Sequence, residues 1–264
     1  LATRPIATAL VVAGGMALFL PLFLTIYLSL FADALVVFPP SGYTLSWYAA
    51  IIPKFGAALS TSLKLAACSV LGSLAVGIPA AIGLVRSRFR GRRIMSTVLL
   101  APLTVPGIAI GLGVFIFAVA VEEQTAIPVS GSLWLLVLAH VLITTPWVIR
   151  LCVAALTNLD RSAEEAAASL GARPFAVLRR VTLPAIRPGI VAGALFAFIV
   201  SFENLEMTLF LITPGLTTLP IATLQYLQYR VDPLVAATAV AQIAVVALAL
   251  MVLDRLVQVG RVLR

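Results

Sequence analysis

Residues 160–189 read "DRSAEEAAASLGARPFAVLRRVTLPAIRPG". On each side lies an apolar run long enough to cross a bilayer. A connection between packed helices usually takes about two to eight residues, so this one is far too long for a simple turn. Its chemistry is helical. Asp160 can cap a first helix, and Glu164 and Glu165 suit the positively polarised first turn. Ala166, Ala167 and Ala168 are strong helix formers with almost no side chain. Gly171 can take the left-handed turn that ends the helix. Pro174 fits the first turn of a second helix, "PFAVLRRVT". Pro184 is expected to stop that helix and Pro188 to open the next apolar run. The segment predicts two short helices at an angle, carried on a membrane surface with a solvated charged face.

The rest of the chain supplies the membrane. It is 62% hydrophobic and 11% charged, whereas soluble domains sit near a quarter charged, so this is a polytopic membrane protein. Runs of about 20 apolar residues predict six spans: about 6–31, 58–85, 94–119, 134–157, 188–212 and 234–258. The first is too long, and too poor in small residues at a cleavage point, for a signal peptide. Together they predict a single all-α transmembrane domain over 1–264, with the loop 158–187 outside the bilayer.

Basic residues orient it. Arg86, Arg88, Arg90, Arg92 and Arg93 follow span two; Arg161, Arg173, Arg179, Arg180 and Arg187 follow span four; Arg4, Arg261 and Arg264 lie near the ends. The opposite loops hold only Lys54 and Arg230. Both termini are therefore expected in the cytoplasm. The net charge of +8 is a topogenic signal and an attraction to anionic lipid, not a nucleic-acid footprint.

Cys68 and Cys152 fall inside spans without ligand spacing, so neither a disulfide nor a metal site is expected. His140, also in a span, reads as a packed polar residue bonding a neighbouring helix rather than a ligand. No nucleophile–base pair, Walker loop or zinc motif occurs, and nothing resembles an enzyme active site. In 32–57, Pro39, Pro40, Ser41 and Gly42 break regular structure, and Trp47 and Tyr48 suit an interfacial belt. Gly72, Gly77, Pro79, Gly83, Pro102, Pro106, Gly107, Gly111 and Gly113 in spans two and three read as close packing or as kinks lining a pathway.

The spacing Glu165-Ala166-Ala167, three residues, Gly171, nine residues, Val181-x-Leu183-Pro184 resembles the EAA loop of permease subunits of ATP-binding-cassette importers, with Val181 in place of Ile. "LLAPLTVPGIAIG", "AHVLITTPWVIR" and "LPAIRPGIVAGALFAFIVSFENLEMTLFLITPGLTTLPI" extend the likeness, which is nearest the spermidine/putrescine type of second permease subunit. The resemblance implies a type I importer fold and a coupling helix. Glu165, Ala166, Ala167 and Gly171 would dock on an ATPase, and Leu183 and Pro184 would fix the angle into span five. It also implies an ATPase dimer, a second, homologous permease subunit and an extracytoplasmic binding protein as partners. ATP and Mg would belong to the ATPases, with no cofactor on this chain.

Span five carries Glu203 and Glu206. At about 1.5 Å per residue Glu203 lies roughly 22 Å in, with Glu206 one turn further on the same helical face and Asn204 beside it. Carboxylates at such depth mark substrate pathways by default, and two of them one turn apart favour a cation between them. Pairing within the protein, snorkelling outward and contact with the partner permease stay open. Polyamine-type relatives carry an acid where Glu203 stands, but none at Glu206. The reading is one permease subunit of an importer for a small cationic solute such as a polyamine. Opines, aminoalkylphosphonates and ferric ions are alternatives within the class. A secondary transporter or a channel would leave the EAA-like loop without purpose.

Overall fold

A computed structural model describes the backbone of residues 3–35 and 37–262, with side chains for Thr8, 12–35, 37–253 and Arg255. The side chains of Arg4 and Arg261, and all of Arg264, lie outside the described residues. The described chain is helical, with isolated bridges at Phe31–Tyr43 and Thr213–Leu216. The helices are α1 (Thr3–Leu28), α2 (Ser46–Arg86), α3 (Arg92–Leu100), α4 (Gly107–Thr125), α5 (Leu133–Thr157), α6 (Ser162–Ser169), α7 (Pro174–Val177), α8 (Leu183–Ala185), α9 (Arg187–Phe202), α10 (Leu219–Leu227) and α11 (Pro233–Val262).

Four of these, α2, α4, α5 and α11, are long and apolar enough to cross a membrane, and α9 joins them as the apolar part of a bent pair. Among the described residues, length and composition thus give four or five of the six expected spans. In α1 the apolar stretch among the described residues is Val12–Leu28. Span three is broken: a 3-10 turn at Ala101–Leu103 and Pro106 separate α3 from α4, because Pro102 and Pro106 donate no backbone hydrogen bond and disfavour helix before them. Span two begins a dozen residues earlier than expected, since α2 runs 41 residues from Ser46. Pro53 and Lys54 interrupt its first part and hid it from an apolar window.

Two groups of residues pack among themselves. In the first, 1–57 with 222–248, Phe31 is fully buried and meets the Tyr27 ring edge-on at 5.0 Å. Trp47 Nε1 donates to the Phe31 carbonyl at 2.8 Å, and Tyr48 and Ser29 share a hydroxyl hydrogen bond of 2.6 Å. The two expected belt aromatics thus also tie down the 29–48 loop. Asp33 closes that loop by accepting from the Ser41 hydroxyl and N–H. Asp232 accepts from the Leu234 N–H at 3.1 Å and caps α11.

In the second group, 58–221 with 249–264, α5 is the most buried helix and α9 lies along it. Gly189 is what permits this: a Cβ there would come within 2.6 Å of Ala155 Cβ and 2.9 Å of the Leu151 carbonyl. Close approach through small residues is how membrane helices gain packing energy. Of the glycines in spans two and three, Gly72, Gly77, Gly107 and Gly111 press on neighbours, whereas Gly83 and Gly113 face open space.

Candidate functional site

Span five does not run on to residue 212. Helix α9 ends at Phe202, Glu203 is its C-cap, and a 3-10 turn follows at Thr208–Phe210. Glu203 and Glu206 consequently do not share a helical face, and the depth reckoned along one helix does not apply to Glu206. Both carboxylates are exposed, while Met207 and Thr208 are buried. Among the described residues Glu203 makes no ion pair or side-chain hydrogen bond. Glu206 lies against the start of α4: a Cβ on Gly107 would be 2.7 Å from Glu206 Oε2. The positive end of the helix dipole there favours a carboxylate.

Asn204 is occupied structurally. Its Oδ1 accepts from the Thr208 N–H at 3.2 Å and the Thr208 hydroxyl at 2.9 Å. Since Thr208 spends its proton on Asn204, its oxygen accepts from His140 Nε2 at 3.1 Å. His140 Nδ1 then accepts from the Ser201 hydroxyl at 2.8 Å. The imidazole is neutral, protonated at Nε2, with both nitrogens satisfied. It is fully buried and bridges the last turn of α9 to the turn beyond the break. Non-helical backbone within a bilayer persists only where protein buries it or it lines a watery cavity, and His140 supplies part of that burial. The bland expectation for His140 fits this geometry, although it bonds across the break as well as to one helix. Only its placement in three dimensions reveals that.

His140→Leu would leave the Ser201 hydroxyl without its partner and take from Thr208 the donor to its oxygen, while Thr208 keeps its bond to Asn204. An unsatisfied buried hydroxyl costs about 1–3 kcal/mol, with the lower end applying in lipid, where interhelical bonds average about 0.6 kcal/mol. The expected result is a thermal midpoint several degrees lower in detergent, with His140→Gln intermediate. An unchanged midpoint would remove the bridge from the account of the break.

On the loop, Asp160 accepts from the Ser162 N–H at 3.0 Å and its hydroxyl at 2.8 Å. The N-cap position of α6 is Arg161, without a side-chain cap, so Asp160 forms a turn just ahead of the helix rather than the expected cap. Its bonds hold the carboxyl below the usual range, so the turn is present at neutral pH and lost only as pH falls through that lowered value. Gly171 has φ +83°. Its N–H bonds the Ala168 carbonyl at 2.9 Å and the Ala172 N–H bonds Ala167 at 3.1 Å, the paired closure of a Schellman end. Pro174 opens α7 as expected. Pro184 does not stop that helix. A π-helical turn, Leu178–Thr182, carries it on to Ala185, and the bend of 69° into α9 falls at the following residue. The wider π turn needs no N–H from Pro184, because Leu183 N–H bonds Leu178 instead.

Glu165 is exposed, and the neighbouring Glu164 holds the loop. Glu164 pairs with Arg86 at 3.1 Å and accepts from the Thr182 hydroxyl at 2.7 Å. Glu164 and Ala167, three apart, share the half-buried face of α6, a face that the sequence alone does not single out. Glu165, Ala166, Gly171 and Pro184 are exposed, with Leu170 at 89% and Phe175 at 71% exposure beside them. Leu183 packs inward against the Ala81–Val148–Ile186 cluster. Both are apolar residues left exposed on a polar loop, and sequence reasoning passed over them.

Residues 73–259 match a family described as the binding-protein-dependent transport system inner membrane component. The chain is similar to the putrescine transport system permease protein PotI of Escherichia coli (strain K12): 35% identical over 196 residues, 73% of this chain and 70% of that protein. It is 30% identical over 184 residues to a putative 2-aminoethylphosphonate transport system permease protein, PhnV, of Salmonella paratyphi A, covering 69% and 68%. Among solved structures it resembles a subunit of a bacterial ABC transporter involved in import of the acidic polysaccharide alginate, with TM-score 0.73 and 16% identity over 96% of each chain. That likeness is one of fold, and the fold is that of a type I importer's transmembrane subunit. With a match spanning most of the sequence, the chain belongs to the family of inner-membrane components of binding-protein-dependent transport systems.

Proposed function

We propose that this chain forms half of the translocation path for a small cationic solute of the polyamine kind, with residues 1–264 acting as one transmembrane domain. The observation that carries the reading is Glu203. It is an exposed carboxylate without a partner among the described residues, placed where α9 breaks. A bare carboxylate at such a place is costly unless a cation or water meets it. The similarity to a putrescine permease supplies the substrate class. The similarity to an aminoethylphosphonate permease favours a second reading within the same class, since that solute also carries an ammonium group. The binding protein would choose between them.

In this reading both termini are cytoplasmic. An ATPase dimer docks on Glu165, Ala166, Ala167 and Gly171, joined by Leu170 and Phe175, while Leu183 and Pro184 set the angle into α9. A homologous permease completes the path and an extracytoplasmic binding protein delivers the solute. ATP and Mg are held by the ATPases. ATP binding draws the docked loops together and opens the path outward.

The test is uptake of labelled putrescine by vesicles containing the assembled transporter. Glu203→Gln is expected to lower uptake about tenfold, the effect of losing roughly 1.4 kcal/mol of charge interaction. Glu206→Gln is expected to lower it far less, because Glu206 rests on α4. Wild-type uptake by Glu203→Gln would sink the cationic path.

A further inference from the structure

The arginines after α2 do more than orient the chain. Helix α3 starts at Arg92 without an acidic residue in its first turn and without a side-chain cap on Gly91. Two cations, Arg92 and Arg93, thus sit on the positive pole of a helix, where charge of their sign is unfavourable. Arg150 on α5 is exposed, although it lies two turns, about 10 Å, back from the end of that span. Among the described residues neither Arg92 nor Arg150 meets a carboxylate. Both line one cavity of about 150 Å³ together with Ser96, and its walls include Leu84, Leu100 and Ile149. On α3, Ile94 and Val98 are 71% and 61% exposed, as residues facing hydrocarbon would be. The cavity therefore opens at the boundary between headgroups and acyl chains, on the side of the arginine-rich loop.

We propose that this cavity seats the phosphate of an anionic phospholipid, clasped between Arg92 and Arg150, with an acyl chain along its apolar wall. A guanidinium meets a phosphate through two parallel hydrogen bonds, and basic pockets between membrane helices take such headgroups. A bound phosphate would offset part of the charge of the two guanidinium groups beside the uncapped start of α3. A soluble oxyanion would leave the apolar wall unused, which is why the lipid is the occupant.

The test uses the complete purified transporter, stripped of lipid in detergent. It is titrated with phosphatidylglycerol, with phosphatidylcholine of the same chains, or with inorganic phosphate. Thermal unfolding and lipid retention by native mass spectrometry are read. Phosphatidylglycerol alone is expected to raise the midpoint and stay bound. Arg150→Gln and Arg92→Gln should each weaken its retention about fivefold to tenfold, while Arg93→Gln, outside the cavity, should not. Since Arg92 lies on a short helix without buried residues, its variant keeps the test alive if Arg150→Gln misfolds. Equal stabilisation by phosphatidylcholine, or undiminished retention in Arg92→Gln, overturns the proposal. So does full stabilisation by inorganic phosphate, which would make the site one for free oxyanions. Loss of the second permease subunit from Arg150→Gln with lipid retention unchanged would assign Arg150 to a subunit contact instead.

Discussion

Gly171→Val is expected to abolish uptake while the protein still reaches the membrane in normal amounts. The glycine holds φ at +83°, a conformation that costs an L-residue about 1–2 kcal/mol and a β-branched one more. Nothing lies within 4 Å of the position a Cβ would take, so the substitution causes no clash and leaves the spans intact. What it breaks is local: the Gly171–Ala168 and Ala172–Ala167 hydrogen bonds that end α6. With them goes the placement of Glu165 and Ala166 relative to Leu170 and Phe175. Gly171→Asn is the control, since asparagine tolerates the left-handed region, and it should retain most uptake. Measuring uptake beside substrate-stimulated ATP hydrolysis separates uncoupling from loss of the path. Normal transport by Gly171→Val would remove α6 from the proposed ATPase interface.

Gly111→Val should have the largest effect on the fold. A Cβ at 111 would lie 2.6 Å from the Met207 carbonyl and 2.9 Å from Met207 Cα. These are backbone atoms, so no rotamer change relieves the contact. Overpacking costs about 1–3 kcal/mol where side chains can adjust, and more where they cannot. The turn at 207–210 would be lifted from α4, breaking the Thr208 bonds to Asn204 and His140. Lower membrane levels and loss of uptake are expected together. Gly113→Val, two residues along on a face that meets nothing within 4 Å, should be silent. If both variants behave alike, α4 does not seat the turn.

Much of this was legible in the sequence. Length and apolarity placed α5 to within a residue, and the residue types of the loop foretold both short helices and the left-handed Gly171. What escaped has a common cause. Apolarity reports burial in lipid, not continuity of helix. Residues 203–212 remain apolar enough to pass for span, yet Asn204 offers Thr208 a side-chain acceptor that competes with helical bonding. The chain turns there. The same blindness joined α3 to α4 across Pro102 and Pro106. Glu164 and Glu165 are chemically identical neighbours, and only the packing of α6 against Arg86 and Thr182 tells the inward carboxylate from the outward one. The role of His140 depended on which hydroxyls the fold brought to it.

Under the proposed docking on an ATPase, the bend at Ile186 would make the loop a crank. The helix from Pro174 to Ala185 is an arm of about 18 Å at helical rise, set at 69° to α9, and the Arg86–Glu164–Thr182 bonds act as a bearing close to the elbow. A push at the far end is converted into torque on α9, at whose other end Glu203 sits. The π-helical turn at 178–182 lies within that arm, so under the proposed docking any stroke would pass through it on the way to the membrane. Stiffening or softening those five residues would change the gearing of the machine without touching either its engine or its cargo.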